Sequence, residues 1–330
     1  MVLFAVLALV ASGILWSRRD TKPAPGAGVG TIVARLVQHT SVPRDRAAYA
    51  GLGTWVDGFD FGPAYKGAAA APPVAPRDVD AMAANGVKTI FLQAVRQDTR
   101  SPEGIVDQAL VAEFLIRAHR QGMRVVGWYL PTFLDTSLDL VRLEQIINFN
   151  VLGHRFDGVA VDIEDVKDVA DVNDRNQRLI DLTTGLRNVS GPDVIGAIVL
   201  PPVLTEVVNT RYWPNFPYAD LASLYDVWLP MSYWTFRSAS SGYHDGYTYN
   251  DESVRRLRSD LGNPNAYVHA IGGIGDTVTV DELNRFAQSL ADDGALGGSI
   301  YDWNSMTPET RAAFAATFTT GPAAHLPAPT

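Results

Sequence analysis

Lys88-Thr-Ile-Phe-Leu-Gln-Ala-Val95 is a short run of β-branched and apolar residues. Behind it Val106, Leu110, Val111, Phe114, Leu115 and Ala118 recur at steps of three and four, Gly122 interrupts them, and Arg124-Val-Val-Gly-Trp-Tyr-Leu130 opens a second short run. Short apolar runs suit buried strands, the three-and-four spacing gathers apolar side chains on one helical face, and glycine is a common helix stop. This stretch therefore predicts one βαβ unit. Working outward, the same alternation predicts strands at 53–57, 158–164, 194–200, 227–234, 266–272 and 298–303, with helical spacing between them. Thr279 stands three residues ahead of Glu282, a capping-box spacing at the start of the helix before the last strand. Eight β-then-α units predict an α/β chain folded as a single (β/α)8 TIM barrel. An open doubly wound sheet is the rival, but the Gly-rich turn it usually carries after the first strand is missing.

Composition narrows the chemistry. The 330 residues include 27 Lys plus Arg against 36 Asp plus Glu, a formal charge of −9, which is the wrong sign for gripping a phosphate backbone. No nucleic-acid partner is expected. The absence of cysteine removes disulfides, thiolate nucleophiles and thiolate metal sites. None of His39, His119, His154, His244, His269 and His325 forms an H-x-H or H-E-x-x-H pair, so no metal centre and no cofactor are expected.

The two ends read differently from the middle. Residues 2–16 are an uncharged apolar run followed by Arg18 and Arg19, so 1–19 is read as a signal peptide or membrane anchor, placing the barrel outside the cytoplasm, secreted or tethered to the membrane. Residues 20–50 are read as a Pro/Gly-rich linker and lead-in, 51–320 as the barrel, and 321–330 as a flexible tail.

In a barrel of this kind, polar and aromatic residues closing the strands point to function, because the carboxyl ends of the strands build the active site. Along Phe156-Asp-Gly-Val-Ala-Val-Asp-Ile-Glu164 the β-branched Val159, Val161 and Ile163 alternate with Ala160, Asp162 and Glu164. A period of two sends one set to the helices and the other inward. The apolar set suits the helix layer, so Asp162 and Glu164 are expected to face the barrel mouth. There two neighbouring carboxyls cannot both ionise freely, the condition a general acid requires. A buried polar network or a strand cap is the alternative role for this pair.

The segment Asp157-Gly158-Val159-Ala160-Val161-Asp162-Ile163-Glu164 resembles the fourth-strand signature of family-18 glycoside hydrolases, the chitinase group, at every position except Ala160. Met231-Ser232-Tyr233 is similar to that family's M-x-Y element, and Trp303 closes the eighth strand, where the family places a tryptophan under the sugar. The resemblance implies a polysaccharide or oligosaccharide substrate, N-acetylhexosamine-containing, with Glu164 as general acid/base. It further implies that Asp162 orients the substrate acetamido group and that Tyr233 donates a hydrogen bond to it. Ala160 replaces an interior carboxylate, Trp234 replaces the Asp that usually follows the Tyr, and the third strand lacks the usual Ser-x-Gly-Gly.

Trp55, Gln93, Trp128, Tyr129, Met231, Trp234, Tyr301 and Trp303 lie in or at the ends of predicted strands and are expected to bind substrate, since flat rings with polar tips suit pyranose faces. Core packing is the ordinary alternative for each ring. Asp57 and Asp302 are expected at the same mouth, either being able to serve a two-carboxylate hydrolase. The aromatic, proline-rich segment 201–218 is expected to form a cleft wall carrying Trp213 and Glu206. Two other functions fit the pattern: a carbohydrate-binding barrel without turnover, and a phosphosugar enzyme in which Gly272-Gly-Ile-Gly275 cradles a phosphate. His269, inside a strand, is expected to be a satisfied core residue.

Overall fold

A computed structural model of the chain describes residues 45–66 and 71–328. Eight parallel strands, β1 (Gly51–Val56), β2 (Thr89–Gln93), β3 (Arg124–Tyr129), β4 (Gly158–Ile163), β5 (Ile195–Val199), β6 (Val227–Ser232), β7 (His269–Ile274) and β8 (Gly297–Tyr301), close into a barrel in sequence order. Each is followed in the outer layer by a helix: α1 (Val79–Ala84), α2 (Gln108–Arg120), α3 (Thr136–Asn148), α4 (Val172–Val189), α5 (Tyr218–Leu221), α6 (Gly246–Asp260), α7 (Val280–Asp292) and α8 (Pro308–Thr317). The predicted (β/α)8 barrel is the observed one. β8 closes it on β1 in the register Gly51↔Gly297 through Thr54↔Ile300.

Local chemistry explains where the helices begin and stop. Asp107, Asp135, Asp171 and Asp245 each accept a hydrogen bond from a first-turn backbone N–H of α2, α3, α4 and α6, satisfying donors that have no partner inside the helix. Thr279 and Glu282 form the expected capping box on α7. Beyond α2 the chain turns at Gly122 with φ 69°, a left-handed conformation that disfavours any side chain.

The barrel interior is filled from its amino end upward. Tyr49, fully buried, plugs that end and donates its hydroxyl to the Val159 carbonyl at 2.8 Å. Above it the His269 Nδ1–H donates to the Tyr49 carbonyl at 2.8 Å, and Nε2 accepts from Ser299 Oγ at 3.0 Å. Burial lowers the His269 pKa to about 4, so the ring is neutral and serves the core. Ser299 Oγ in turn accepts from Trp55 Nε1 at 2.8 Å, and Trp55 stacks on Phe91 with centroids 4.4 Å apart. This column fits only because the strand residues beside it are small. A Cβ on Gly297 would lie 2.5 Å from His269 Nδ1, and one on Gly53 would lie 2.7 Å from Phe91.

Two expected boundaries move. Residues 46–49 form a 3-10 turn capped by Asp45 and belong to the barrel through Tyr49, so the lead-in becomes structure before residue 51. The segment read as a flexible tail from 321 is built in as far as it is described: Pro322–His325 is a 3-10 turn, Ala323 is buried and Leu326 packs against the core. Pro and Gly content alone does not reveal that a segment has a groove to fill. The apolar 1–19 segment lies outside the described residues, and among those described no helix is long and apolar enough to cross a membrane.

Candidate active site

At the carboxyl ends of the strands the aromatic column stops below a cavity of about 330 Å³. Trp55, Asp57, Gln93, Trp128, Asp162, Glu164, Met231, Tyr233 and Tyr301 line it, all of them singled out from the sequence. β4 positions the acids: in its inward register Ala160 is fully buried beneath Asp162, and Glu164 follows at the mouth. Asp162 is 7% exposed, and its Oδ1 has no hydrogen-bond partner. Burial first, then the Glu164 carboxylate, push the Asp162 pKa well above the usual carboxylate range. Burial and then Asp165 raise Glu164, against a lowering influence of Lys167. Both acids therefore resist ionisation, the more deeply buried Asp162 with the Glu164 charge against it as well.

Tyr233 stands over the pair. Burial, followed by Asp162 and Glu164, raises its phenol well above 10, so it remains an O–H donor. Tyr301 lies 6.1 Å from it, ring to ring, and donates to Asp57 Oδ2 at 2.9 Å. Asp57 also accepts from the N–H groups of Phe59 and Asp60 at 2.6 and 3.1 Å, which holds it at the top of β1.

Tyr129, Trp234, Asp302 and Trp303 do not line the cavity. Tyr129 faces the helices and donates to Asp139 Oδ1 at 2.6 Å. Trp234 is fully buried against Phe286 and donates its indole N–H to Glu282 at 3.2 Å. Trp303 is buried under the Arg311 guanidinium, 4.0 Å from its ring, so the inward aromatic residue of β8 is Tyr301 instead. For Tyr129 and Trp234 the reason is the period of two, since neighbours such as Trp128 and Tyr129, or Tyr233 and Trp234, cannot both face inward; Trp303 shares the parity of Tyr301 but lies in a turn beyond the end of β8. Asp302 is buried beside the cavity, its carboxylate accepting from Ser305 N–H at 2.8 Å. Together with Asp57 and Asp60 it places three carboxylate oxygens within 4.8 Å of one another. Burial, then Asp57 and Asp302, raise the Asp60 pKa to about 8, so a proton sits in this cluster at neutral pH.

The 201–218 segment is not a wall of the cavity either. Trp213 is buried, donating to Asn176 Oδ1 at 2.7 Å, and Glu206 pairs with Arg256 at 3.1 Å. Both line a larger groove of about 670 Å³ beside α5, which holds none of the inward acids. The phosphate cradle is overturned as well. Gly272 and Gly273 are strand residues pressed against Trp234, where a Cβ would come within 2.8 and 3.0 Å of the indole. The N–H groups of Ile274 and Gly275 are already donated, to Thr235 Oγ1 at 3.1 Å and to the Tyr301 carbonyl at 2.7 Å. Asp157, which opens the fourth-strand motif, lies at the other end of the barrel, accepting from Val125 N–H and facing His119.

The sequence reading missed Phe59, Arg96, Leu130, Ile198, Phe236, Ile271 and Ile274, which also line the cavity. Leu130, Ile198 and Ile271 had a signal, the inward parity of their strands. Ile274 ends β7 past a register shift that breaks its parity, and Phe59, Arg96 and Phe236 enter from the segments beyond the strand ends, where no periodicity marks them.

No protein-family model matches the chain, and neither does any curated protein. Solved structures do. An endo-β-1,4-mannanase from Thermotoga petrophila superposes with a TM-score of 0.60 at 10% identity, over 83% of this chain and 78% of that one. A GH18 chitinase from Pseudoalteromonas aurantia gives 0.55 at 14% identity, covering 82% and 100%, and a chitinase from Chromobacterium violaceum ATCC 12472 gives 0.54 at 12% identity, covering 84% and 99%. The fold is that of glycoside hydrolase barrels. At such identities the likeness is one of architecture alone, a (β/α)8 barrel of the shape seen in chitinases and mannanases.

Proposed function

We propose that this glycosidase-like barrel hydrolyses an extracellular or cell-envelope polysaccharide containing N-acetylhexosamine, with Glu164 as general acid/base and Asp162 and Tyr233 holding the reacting sugar. The observation that carries the reading is the pair formed by buried Asp162 and half-buried Glu164, in the inward register of β4 and just past its end, with both carboxyls raised and Asp162 Oδ1 without a partner. Protonated Glu164 gives its proton to the leaving glycosidic oxygen as the C–O bond breaks. The substrate's own acetamido oxygen attacks the anomeric carbon, its N–H accepted by Asp162 and its oxygen oriented by the Tyr233 hydroxyl. Glu164, now a carboxylate, takes a proton from the water that opens the cyclic intermediate, so anomeric configuration is retained and Glu164 is restored. Trp55 and Trp128 floor the cavity with ring surface for the sugar. The apolar 2–16 run supports export or anchoring, with the barrel outside the cytoplasm.

A binding barrel without turnover is the second reading, favoured by Ala160: where the resembled family has an interior carboxylate, a methyl group lies beneath Asp162. The test is release of reducing ends from N-acetylhexosamine oligosaccharides by the wild-type chain and by Glu164→Gln. The expected loss of rate is at least about 10²-fold with binding retained. Equal cleavage by both removes Glu164 from the mechanism, and binding without cleavage by the wild type selects the second reading.

A further inference from the structure

Asp162 and Glu164 have roles in the reading above and Asp57 is held by Tyr301 and the turn after β1, but one lining residue is a cation. Arg96 enters from the loop after β2, and that loop is clamped: the Arg96 N–H donates to the Gly104 carbonyl at 2.8 Å and Val106 N–H to Ala94 at 2.9 Å. Its guanidinium lies 4.2 Å above Phe59 and 5.2 Å from Tyr65, and Tyr65 is held by a 2.7 Å hydrogen bond to Ser101. Gly58 makes room for it, since a Cβ there would fall 2.8 Å from Arg96 Cδ. The group is therefore preorganised.

No carboxylate pairs with Arg96 among the described residues, although Asp98 feels its charge. Nη1 donates to the neutral Gln93 Oε1 at 2.6 Å, and Nε is buried with no hydrogen-bond partner. The nearby carboxylate Asp98 is taken by Arg100, which donates to both of its oxygens at 2.9 and 2.7 Å. Asp162 and Glu164 are governed by burial, by one another and by Asp165 and Lys167, and Arg96 has no part in their shifts. A fixed guanidinium in the wall of a saccharide cavity, paired with no carboxylate, matches an anion on the ligand.

We infer that the cavity takes a saccharide bearing a carboxylate, a hexuronic acid or an acidic ether substituent, whose carboxylate pairs with Arg96. A planar carboxylate fits the planar fork, and a single negative charge is tolerated beside Asp57, Asp162 and Glu164, where a dianionic phosphate meets more repulsion. The inference rests on the saccharide reading of the site and extends it to substrate class.

Calorimetric titration tests it on the full chain in the Glu164→Gln background, which prevents turnover. The probes are a tetrasaccharide alternating N-acetylhexosamine with hexuronic acid and its carboxyl-reduced counterpart. The acid form is expected to bind roughly ten-fold or more tighter than the reduced form. Arg96→Ala should bring the ratio to about one and Arg96→Lys to an intermediate value. Arg96→Gln, close in length, carries the same expectation as alanine if truncation unseats Phe59. Equal affinities for the two saccharides, or an acid preference that survives Arg96→Ala and Arg96→Gln, would overturn the inference. Cleavage by the chain with Glu164 intact is scored separately. Glu164-dependent cleavage without acid preference defeats this inference alone, whereas an Arg96-dependent preference without cleavage supports it and defeats only the hydrolytic reading.

Discussion

Asp60 offers a measurement whose sign and size follow from the structure. Its carboxyl is 5% exposed, sits against Asp57 and Asp302, and is raised from 3.8 to about 8, first by burial and then by those two neighbours. In the unfolded chain the same carboxyl ionises near 3.8. Below that pH both states are protonated and the group's contribution to stability is fully present. As pH rises toward 8 the unfolded chain releases a proton that the folded chain retains, so stability is lost at up to about 1.4 kcal/mol per pH unit, and the loss levels off once the folded group ionises. Asp60→Asn removes this slope while imitating the protonated acid: its oxygen can accept from the Asp57 N–H, now 3.3 Å from Asp60 Oδ2, and its N–H can face Asp302. Relative to the wild type, the variant should therefore gain about 3 kcal/mol between about pH 5 and about pH 7, reduced to the extent that the cluster relaxes. Urea unfolding of both proteins at the two pH values reads the difference directly, because titrations common to both cancel. A stability difference that stays flat across this range would refute the claim that Asp60 holds a proton in the folded protein. The same variant reports on the site, since the Asp60 proton lets Asp57 approach and keep its bond to Tyr301.

Other consequences are simpler. Tyr49→Phe removes the hydroxyl that reaches the Val159 and Val194 carbonyls and should cost about 1–2 kcal/mol in urea unfolding without altering saccharide binding at the opposite end of the barrel. Gly297→Ala places a Cβ 2.5 Å from the Gly51 carbonyl and from His269 Nδ1, and should cost about 1–3 kcal/mol or prevent folding; a neutral result would contradict the packing of the interior column. Tyr233→Phe should lower the rate of oligosaccharide cleavage by about 10-fold or more at nearly unchanged melting temperature, because its hydroxyl faces the cavity and not the core. Deletion of residues 322–328 uncovers the groove filled by Ala323 and Leu326 and should lower the melting temperature by several degrees.

The barrel was legible because its signals are local. Strand parity along 158–164 and the three-and-four spacing along 106–118 are properties of a few consecutive residues, and they predicted both the fold and the inward direction of Asp162 and Glu164. The same parity, applied at β3 and β6, would have sent Tyr129 and Trp234 to the helices; aromatic content at the strand ends outweighed it. Arg96, Phe59 and Phe236 carried no such mark, since their loops obey no period.

Sequence by itself thus determined the eight-fold βα architecture, the absence of thiol chemistry and the paired acids of β4. Tertiary structure alone decided what those acids share the cavity with. Closure of β8 on β1 brings Tyr301 to Asp57 across 244 residues, Tyr49 plugs the barrel, and the loop after β2 puts Arg96 in the wall of the same cavity as the acids. Contacts between residues so far apart depend on how strands tilt and loops return, which no window of consecutive residues contains.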